Sequence, residues 1–355
     1  MKNNGKVTIG ATGDILLHKR VYNKALKEDG KGFAFDNMLS EARKLFKEEH
    51  LVIVNQESII AGEELGLSDF PNFNSPVEIG YQLKELNVDI VNIANNHTLD
   101  HGEKGILKSI ENWEKIGLPY VGAYKSIEDQ ETLRIIHKNG LRICFLSYTK
   151  GTSGKKIPKG KEYLLNRYDK TRFAGHRDVA GLRRLINQIR QRDLADVVVV
   201  SIHFGKEYQM LPTSYQKETA SNISDAGADI IIGHHPHVLQ PPTFLTNSKG
   251  EKTFTAYSLG NFFTGQKGIY RQIGGYMTID VEKTLDKGLL EINNPTMKLT
   301  FVDISEKHGY KLRLLKDVVQ NGETIKTDIG EFDSELVYRN VIKHMTKWIP
   351  ELDIS

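Results

Sequence analysis

Short apolar runs alternate with longer segments of helical spacing over the first 281 residues of the chain. The apolar runs are rich in Val and Ile, and the segments between them carry apolar residues three and four positions apart. The predicted strands include Lys6–Thr12, Leu51–Val54, Val88–Ala94, Asp196–Ile202 and Asp229–Ile232, and the predicted helices include 36–49, Val77–Leu86, Ile106–Ile116, Val179–Arg192 and Ser214–Ala226. Strands that alternate with helices predict an α/β fold with parallel strands.

Shorter or weaker patterns fill the rest of the chain. They predict strands at Pro119–Gly122, Thr132–His137, Leu141–Ser147, Tyr276–Val281 and Met297–Ile304, a hairpin turn at Asn139–Gly140, turns through Asn293–Pro295, a helix at Leu336–Lys347 and a long loop at Gly62–Pro76. No repeat or linker divides the chain. We therefore expect one domain over residues 1–281, with residues 282–355 as an extension packed on it.

Composition limits the classes of partner. The formal charge of +3 results from 48 basic and 45 acidic side chains, so the chain is not a global polycation and we expect no nucleic-acid partner. The single cysteine, Cys144, excludes an intramolecular disulfide and argues against a thiolate zinc site. Without a signal peptide or a membrane-length apolar run, we expect a soluble chain, cytoplasmic unless a membrane anchor outside this sequence holds it on the extracellular side.

Polar side chains follow five of the predicted strands, at the point where each strand ends. These residues are Asp14, Glu57, Asn96 with His97, His203, and His235 with His237. Function in α/β proteins gathers at the carboxyl ends of strands, so these side chains are candidates for one site. Each has a structural alternative when taken alone, such as helix N-capping for Asp14 and a polar surface loop for the histidines.

Carboxylates, an amide and imidazoles without a thiolate predict a nitrogen and oxygen site for a divalent transition metal such as Mn, Fe or Zn. Two carboxylates and several histidines exceed what one tetrahedral ion needs, which favours two ions bridged by a carboxylate. His97 titrates near neutral pH and could protonate a leaving group beside such a centre.

Six motifs in order resemble those of the bacterial capsule-synthesis CapA family. They are Gly13-Asp14, Asn55-Gln56-Glu57, the run from Ala94 to Asp100, the run from His203 to Tyr208, the run from Gly233 to His237, and the run from Tyr257 to Phe262. That family is linked to poly-γ-glutamate production and is similar to the calcineurin-like metallophosphoesterases. The resemblance covers about Lys6 to Val281 and leaves the C-terminal part unassigned.

The resemblance implies a four-layer α-β-β-α sandwich of the metallophosphoesterase type and assigns roles to individual residues. It implies metal ligands at Asp14, Glu57, Asn96, His203, His235 and His237, and a general acid at His97. Further candidates, for substrate binding, are Arg20, which could face either an anionic substrate or solvent, His234 and Asn261. Two positions depart from the superfamily pattern, because Leu16 stands where a His is usual and Glu57 replaces an Asp. Either His18 or a water completes an altered first site, or only one ion binds tightly.

The expected function is that of a CapA-like metal-dependent hydrolase-fold protein in poly-γ-glutamate biosynthesis. An anionic polymer or phosphorylated substrate would suit the basic loop 150–170, which carries Lys150, Lys155, Lys156, Lys159, Lys161 and Arg167, although a solvated loop is the simpler interpretation. The alternatives are a general metallophosphoesterase, an amide hydrolase that cuts the polymer, and a non-catalytic accessory subunit of a membrane synthase.

Overall fold

The computed structural model describes residues 5–48, 50–170, 177–284, 289–305, 307 and 309–355. Its strands in chain order are β1 Gly5–Leu16, β2 His50–Gln56, β3 Ile90–Asn92, β4 Tyr120–Val121, β5 Arg134–Lys138, β6 Leu141–Thr149, β7 Asp169–Lys170, β8 Arg177–Asp178, β9 Val197–His203, β10 Ile230–His234, β11 Leu239–Gln240, β12 Thr243–Thr246, β13 Lys252–Ala256, β14 Ser258–Leu259, β15 Asn261–Thr264, β16 Ile273–Thr284, β17 Leu289–Asp303, β18 Lys311–Leu314, β19 Thr324–Thr327, β20 Gly330–Asp333 and β21 Asp353–Ile354. Its helices are α1 Lys19–Ala25, α2 Ala42–Leu45, α3 Glu78–Glu85, α4 Gly102–Ile116, α5 Ile127–Glu131, α6 Ala180–Gln191, α7 Ser214–Asp225, α8 Leu315–Gln320 and α9 Ser334–Met345.

The larger sheet contains nine strands within the described residues. Its order is β18-β17-β16-β1-β2-β3-β4, with β15 beside β1 and β21 beside β17. Strands β1 to β4 pair in parallel, whereas β16, β17 and β18 extend the sheet from β1 in antiparallel pairs. The parallel part therefore brings the carboxyl ends of β1, β2 and β3 to the same edge.

The second sheet has the order β12-β13-β10-β9-β6-β5, and its central strands β13, β10, β9 and β6 are parallel. One hydrophobic cluster joins the facing sides of the two sheets. A second cluster joins the outer side of the larger sheet to α3 and α4, and a third joins the outer side of the second sheet to α6 and α7. The expected four-layer α-β-β-α sandwich is therefore confirmed.

Strand β2 shows why the predicted strands are apolar throughout. Ile53 lies in the cluster between the sheets with Ile143 and Val199 of the second sheet. Val52 and Val54 lie in the outer cluster, with the apolar faces of α3 and α4. A strand covered on both sides buries every side chain, which favours a continuous Val and Ile run over strict alternation.

The C-terminal residues extend this core. Strand β17 pairs antiparallel with β16 along most of its length, and β18 and β21 pair with β17. Leu315 and Val318 of α8 and Val341 and Met345 of α9 belong to the cluster between the sheets. Apolar side chains of α8 and α9 thus pack in the cluster between the larger sheet and the second sheet.

The helix predicted over 36–49 is mostly wrong, since within the described residues 36–48 only Ala42–Leu45 is α-helical. The apolar positions are buried as expected, including Met38 and Phe46. The Met38 carbonyl accepts a hydrogen bond from the Leu312 amide of β18 at 2.8 Å, and so does not serve as a helical acceptor. Packing against a distant strand therefore outweighs the helical spacing of the apolar residues.

The turns predicted through Asn293–Pro295 are wrong, because these residues lie inside β17. Thr278 pairs with Thr296 and Asp280 with Asn293, so β17 carries one more residue than β16 between these pairs. This is a β-bulge, which accommodates a proline that cannot donate a hydrogen bond to the sheet. Turn-forming residues therefore mark a bulge at this position.

The hairpin turn predicted at Asn139–Gly140 is confirmed. Both residues have positive φ, 50° and 80°, and they connect the antiparallel strands β5 and β6. This is the backbone that a two-residue turn requires and that Asn and Gly tolerate. Among the described residues, no helix is both long and apolar enough to cross a bilayer.

Gly233 lies near the end of β10, where the backbone of Tyr257 passes very close to it. A Cβ placed on Gly233 would lie 2.1 Å from the Tyr257 carbonyl oxygen and 2.7 Å from the Phe204 ring. Backbone atoms cannot move aside as a flexible side chain can. The close approach of these segments therefore requires glycine.

We expect Gly233→Ala to lower the free energy of unfolding by about 1–3 kcal/mol, the usual cost of overpacking. Gly181→Ala in α6 is the matched control, because only Arg184 Nη2, at 4.0 Å, lies near the added methyl group. The control should raise stability by about 0.5–1 kcal/mol through helix propensity. Urea unfolding followed by circular dichroism measures both, and equal stability of the two variants would contradict the expectation.

Candidate metal centre

The carboxyl ends of parallel strands from both sheets meet at one edge of the sandwich. Asp14 near the end of β1 lies 3.1 Å from His234 at the end of β10, which joins the two sheets at this point. Glu57 directly follows β2, Asn96 follows β3, and His203 ends β9. The residues predicted from five separate strand ends are thereby brought together in space.

Glu57 is fully buried beside two imidazoles. Its Oε1 lies 3.5 Å from Nε2 of His203 and 3.7 Å from Nε2 of His237. Among the described residues, neither carboxylate oxygen has a hydrogen-bond donor. Burial raises the pKa of Glu57 well above its usual range; His237 opposes this rise and the charge of Asp14 adds to it. A carboxylate in this position is unfavourable unless a cation or a proton joins it.

Further ligand atoms face Glu57 from the neighbouring loops. Nε2 of His203 lies 2.7 Å from Oδ1 of Asn96 and 3.1 Å from Nδ1 of His235. Burial lowers the pKa of both His203 and His235 well below the usual range; the His235 ring adds to the effect at His203, and Lys150 and His237 add to it at His235. Both rings are therefore neutral at pH 7, which is the form that binds transition metals.

Asp14 differs from Glu57 because hydrogen bonds satisfy it. Its oxygens lie 2.8 Å from Asn55 Nδ2, 3.1 Å from His234 Nδ1, 3.2 Å from the His235 amide and 3.2 Å from His237 Nδ1. Burial acts to raise the pKa of Asp14, but the hydrogen bonds with His234 and His237 hold it well below the usual range. Asp14 is therefore an ionised carboxylate that orients the histidines around it.

A chain of hydrogen bonds between buried polar side chains, which we call the ladder, holds Asp14 in place. Asn55 donates to Asp14, Asn92 donates to Asn55 at 2.7 Å, and Ser147 donates to Asn92. The ladder runs from β1 through β2 and β3 to β6 of the second sheet. Because each group is buried and partnered, the ladder fixes the relative position of the strand ends.

His237 lies between the two carboxylates. Its Nδ1 lies 2.9 Å from Oδ1 of Asn261, in addition to its contact with Asp14. Burial acts to lower the pKa of His237, but Glu57 and Asp14 together raise it to about 9. Asn261, a candidate for substrate binding, is fully buried and donates to the His237 carbonyl at 3.3 Å. His234, another such candidate, is also buried, against Asp14.

Three non-glycine residues around the centre have backbone in the left-handed region. The φ angles are 97° for His235, 56° for His237 and 63° for Tyr208, whose ring lies 6.2 Å from that of His237. Such conformations are unfavourable for side-chain-bearing residues and persist where the surrounding structure enforces them. The loop after β10 is thus held in a strained form that aims its imidazoles at Glu57.

The arrangement fits a divalent cation. Glu57, His235 and His237 each offer a ligand atom within 4.8 Å of the others. The two unsatisfied oxygens of Glu57 and the neutral rings of His203 and His235 supply what a cation requires. Nitrogen and oxygen donors without a thiolate match Mn, Fe or Zn.

His97 is held by a carboxylate at the edge of this group. Its Nδ1 lies 2.7 Å from Oδ2 of Asp100, and the same oxygen accepts a hydrogen bond from the Phe73 amide at 2.6 Å. The Phe73 ring meets the His97 ring edge-on, with centroids 4.7 Å apart. Nε2 of His97 has no hydrogen-bond partner among the described residues. His97 is therefore oriented through one nitrogen and available through the other.

The segment after Asp14 differs from the expectation. Strand β1 continues to Leu16, because β15 pairs with it, and His18 occupies the N-cap position of α1. The alternative role of Asp14 as a helix cap is therefore wrong. The His18 ring lies edge-on to Phe73 at 5.1 Å, and burial lowers its pKa to about 4. Arg20 is exposed in the first turn of α1.

The basic loop 150–170 is partly neutralised by the chain itself. Nζ of Lys155 lies 2.7 Å from Oδ1 of Asp100, and Lys161 forms an ion pair with α4 at 2.5 Å. Lys156 and Lys159 are exposed and form no ion pair with the described residues. Only part of the basic charge predicted for this loop is thus available to an anionic ligand.

Several residues of the site received no role from the sequence. Asp100 follows His97 by three residues, a spacing that could have indicated the pair. Asn55 and Asn92 each lie at or next to the end of a strand, which could have indicated neighbours in the ladder. Ser147 ends the strand predicted at Leu141–Ser147, but the sequence does not indicate its partner Asn92, which lies 55 residues away in the chain and in the other sheet.

Comparison with known proteins gives a family match. A family model described as bacterial capsule synthesis protein PGA_cap matches residues 8–266. The chain is 28% identical to the capsule biosynthesis protein CapA of Bacillus anthracis over 98% of this chain and 82% of that protein. It is 34% identical to the PGA biosynthesis protein CapA of Bacillus subtilis (strain 168) over 52% of this chain and 44% of that protein. The chain thus spans most of the first relative and under half of the second.

Solved structures with a similar arrangement include two that are named for phosphate chemistry. A phosphatase from Mycoplasma pneumoniae aligns with a TM-score of 0.48 and 14% identity, over 87% of this chain and 97% of that chain. The calcineurin-like phosphoesterase YfkN from Bacillus subtilis aligns with a TM-score of 0.46 and 15% identity, over 84% of this chain and 91% of that chain. Likeness at this level assigns neither a substrate nor an activity.

The buried carboxylate of Glu57, which accepts no hydrogen bond from the described residues, predicts how the variant Glu57→Gln behaves. Without metal, at pH 8, the variant should be at least as stable as the wild type, because it removes a buried carboxylate whose oxygens have no hydrogen-bond donor. With Mn²⁺ at about one hundred times its Kd, the wild type should gain about 2.7 kcal/mol, and the variant should gain much less. Urea unfolding in EDTA and in Mn²⁺ measures both effects.

Glu85→Gln on α3 is the matched control, since Glu85 is exposed and far from the strand ends. Its free energy of unfolding should match that of the wild type both in EDTA and in Mn²⁺. A Glu57→Gln protein that is several kcal/mol less stable in EDTA, yet responds fully to Mn²⁺, would contradict this view of the site.

Proposed function

The chain belongs to the bacterial capsule synthesis protein PGA_cap family, and on that premise we propose that it is a metal-dependent hydrolase acting in capsule polymer biosynthesis, with poly-γ-glutamate as the polymer. Two relatives named for capsule or PGA biosynthesis support the process. The metal-dependent chemistry is supported by the group of ligand atoms around Glu57.

The observation that carries the proposal is a buried Glu57 carboxylate surrounded by imidazole nitrogens. Its Oε1 lies near Nε2 of both His203 and His237, and neither oxygen accepts a hydrogen bond from the described residues. We infer a dinuclear centre in which Glu57 bridges. Asn96, His203 and His235 would hold one ion, and Asp14 and His237 would hold the other.

The ions would supply Lewis-acid polarisation of the substrate and activation of water. The chain's own contribution is to place the reacting groups. Asp100 binds Nδ1 of His97, so the proton available to a leaving group would be carried by Nε2. Phe73 packs on the His97 ring and limits its rotation. His97 is thus proposed as the catalytic acid.

The proposed substrate is the anionic polymer or a phosphorylated precursor of it. Lys156 and Lys159 provide exposed positive charge on the basic loop. Lys155 of the same loop contacts Asp100 beside His97. Positive charge near a site raises the rate at which anions reach it. Partners in a membrane-bound synthase are part of the same proposal, since capsule polymer must be exported.

A second candidate, a non-catalytic accessory role, is favoured by one observation. Asp14 already accepts hydrogen bonds from Asn55 and three groups of the His234–His237 loop, and Leu16 provides no ligand beside it. A carboxylate that is satisfied in this way gains less from an ion than Glu57 does. One weakly held ion would leave the centre poorly suited to hydrolysis.

The variant His97→Ala tests the catalytic proposal. We expect Mn²⁺-loaded wild type to release phosphate from an aryl phosphate, or to shorten poly-γ-glutamate, and His97→Ala to lose about 10²–10⁴-fold in kcat. The metal content should be unchanged, because His97 is not among the proposed ligands. His137→Ala, an exposed histidine on β5, is the matched control and should retain full activity.

The accessory role predicts the opposite outcome in cells. If a strain carrying only His97→Ala makes normal amounts of polymer, and the isolated wild type is inert with Mn, Zn, Fe and Mg, hydrolysis is not the function. Loss of polymer in the His97→Ala strain, with normal amounts in the His137→Ala strain, would support catalysis.

A further inference from the structure

A short segment after β6, Lys150–Lys156, which we call the strap, crosses from the second sheet to the Asn96–Asp100 loop. Its start is fixed, because the Lys150 amide donates to the His203 carbonyl at 3.0 Å and Lys150 Nζ donates to the Gly205 carbonyl. Its turn is closed by the Lys155 amide, which donates to the Thr152 carbonyl at 2.9 Å. The strap is thus anchored to β9 and to its own turn.

The strap reaches Asn96 through Ser153. Asn96 Nδ2 donates to Ser153 Oγ at 3.2 Å, which leaves Oδ1 of the same amide facing His203 Nε2 at 2.7 Å. An amide can present either its oxygen or its nitrogen, and only the oxygen can bind a cation. Ser153 has a φ of 48°, so a backbone conformation unfavourable for a non-glycine residue is retained at this contact.

The strap reaches His97 indirectly, through Lys155. The Asp100 side chain is fully buried and its two oxygens are divided between partners. Lys155 Nζ binds Oδ1 at 2.7 Å, and Oδ2 is left for His97 Nδ1 and the Phe73 amide. Without Lys155, Oδ1 of the buried Asp100 would lose its ion pair, which would weaken the hold of Asp100 on the ring.

We propose that the strap is a positioning element for the metal centre and the catalytic acid. Ser153 selects the oxygen of Asn96 as the ligand atom, and Lys155 holds Asp100 against His97. Neither residue is itself a ligand or an acid. The Lys155 part rests on the proposed function, whereas the Ser153 part requires only that the centre binds a cation.

Metal affinity tests the role of Ser153. The variant Ser153→Gly removes the hydroxyl and suits the positive φ, so it separates the hydrogen bond from backbone strain. We expect the Mn²⁺ Kd, measured by calorimetry, to rise about 10-fold or more, as for other groups that orient metal ligands. Asn87→Gly, which also replaces an exposed residue of positive φ, is the control and should bind as the wild type does. An unchanged Kd in Ser153→Gly would overturn this part.

The role of Lys155 is tested with the variants Lys155→Met and Lys155→Arg. We expect Lys155→Met to lower kcat about 10-fold with little change in KM, and Lys155→Arg to recover most of the loss. Lys161→Met is the matched control, since Lys161 lies in the same basic loop but pairs with Glu103. Equal kcat for Lys155→Met and Lys161→Met would overturn the proposal for Lys155.

Hydrogen exchange of the Phe73 amide gives a second measurement that needs no turnover. This amide donates to Asp100 Oδ2, so it should exchange at least about 10-fold faster in Lys155→Met if Lys155 fixes Asp100. Faster exchange in a protein that proves inert would support the strap while the proposed hydrolysis fails. Unchanged exchange would overturn the strap's hold on Asp100 whether or not the protein is active.

Discussion

The buried charge of Glu57 is the constraint on which the site depends. A carboxylate with no exposed surface and no hydrogen-bond donor among the described residues costs several kcal/mol unless a positive charge accompanies it. The nearest groups cannot provide that charge fully, because burial keeps His203 and His235 neutral. His237 alone favours its charged form, and it is shared with Asp14. A divalent cation bound at Glu57 would resolve this imbalance.

The fold places this charge where a cation can reach it. Parallel pairing in both sheets sends the strand ends to one edge, and the ladder from Asp14 to Ser147 ties the two sheets together there. The tight passage at Gly233 and the left-handed backbone at His235 then set the direction of the imidazoles. The supports of the centre are backbone and buried amides rather than long side chains, which favours a rigid centre.

The sequence predicted the strands and their polar ends well because both depend on short-range pattern. An apolar run buried on both sides ends where a polar residue appears, as at Glu57 and His203. The helix over 36–49 and the turns at Asn293–Pro295 could not be predicted correctly, since a contact with β18 and a bulge against β16 decide those backbones. Ser153 was likewise unpredictable, because its partner Asn96 lies 57 residues away in the chain.

The most direct test of a cation at Glu57 is the metal content of purified protein, measured by elemental mass spectrometry without chelators. We expect near-stoichiometric transition metal in the wild type and in His137→Ala, whose imidazole is exposed on β5, and little metal in His235→Ala. A folded wild type that contains no metal, and takes up none when Mn, Fe or Zn is added, would contradict the account.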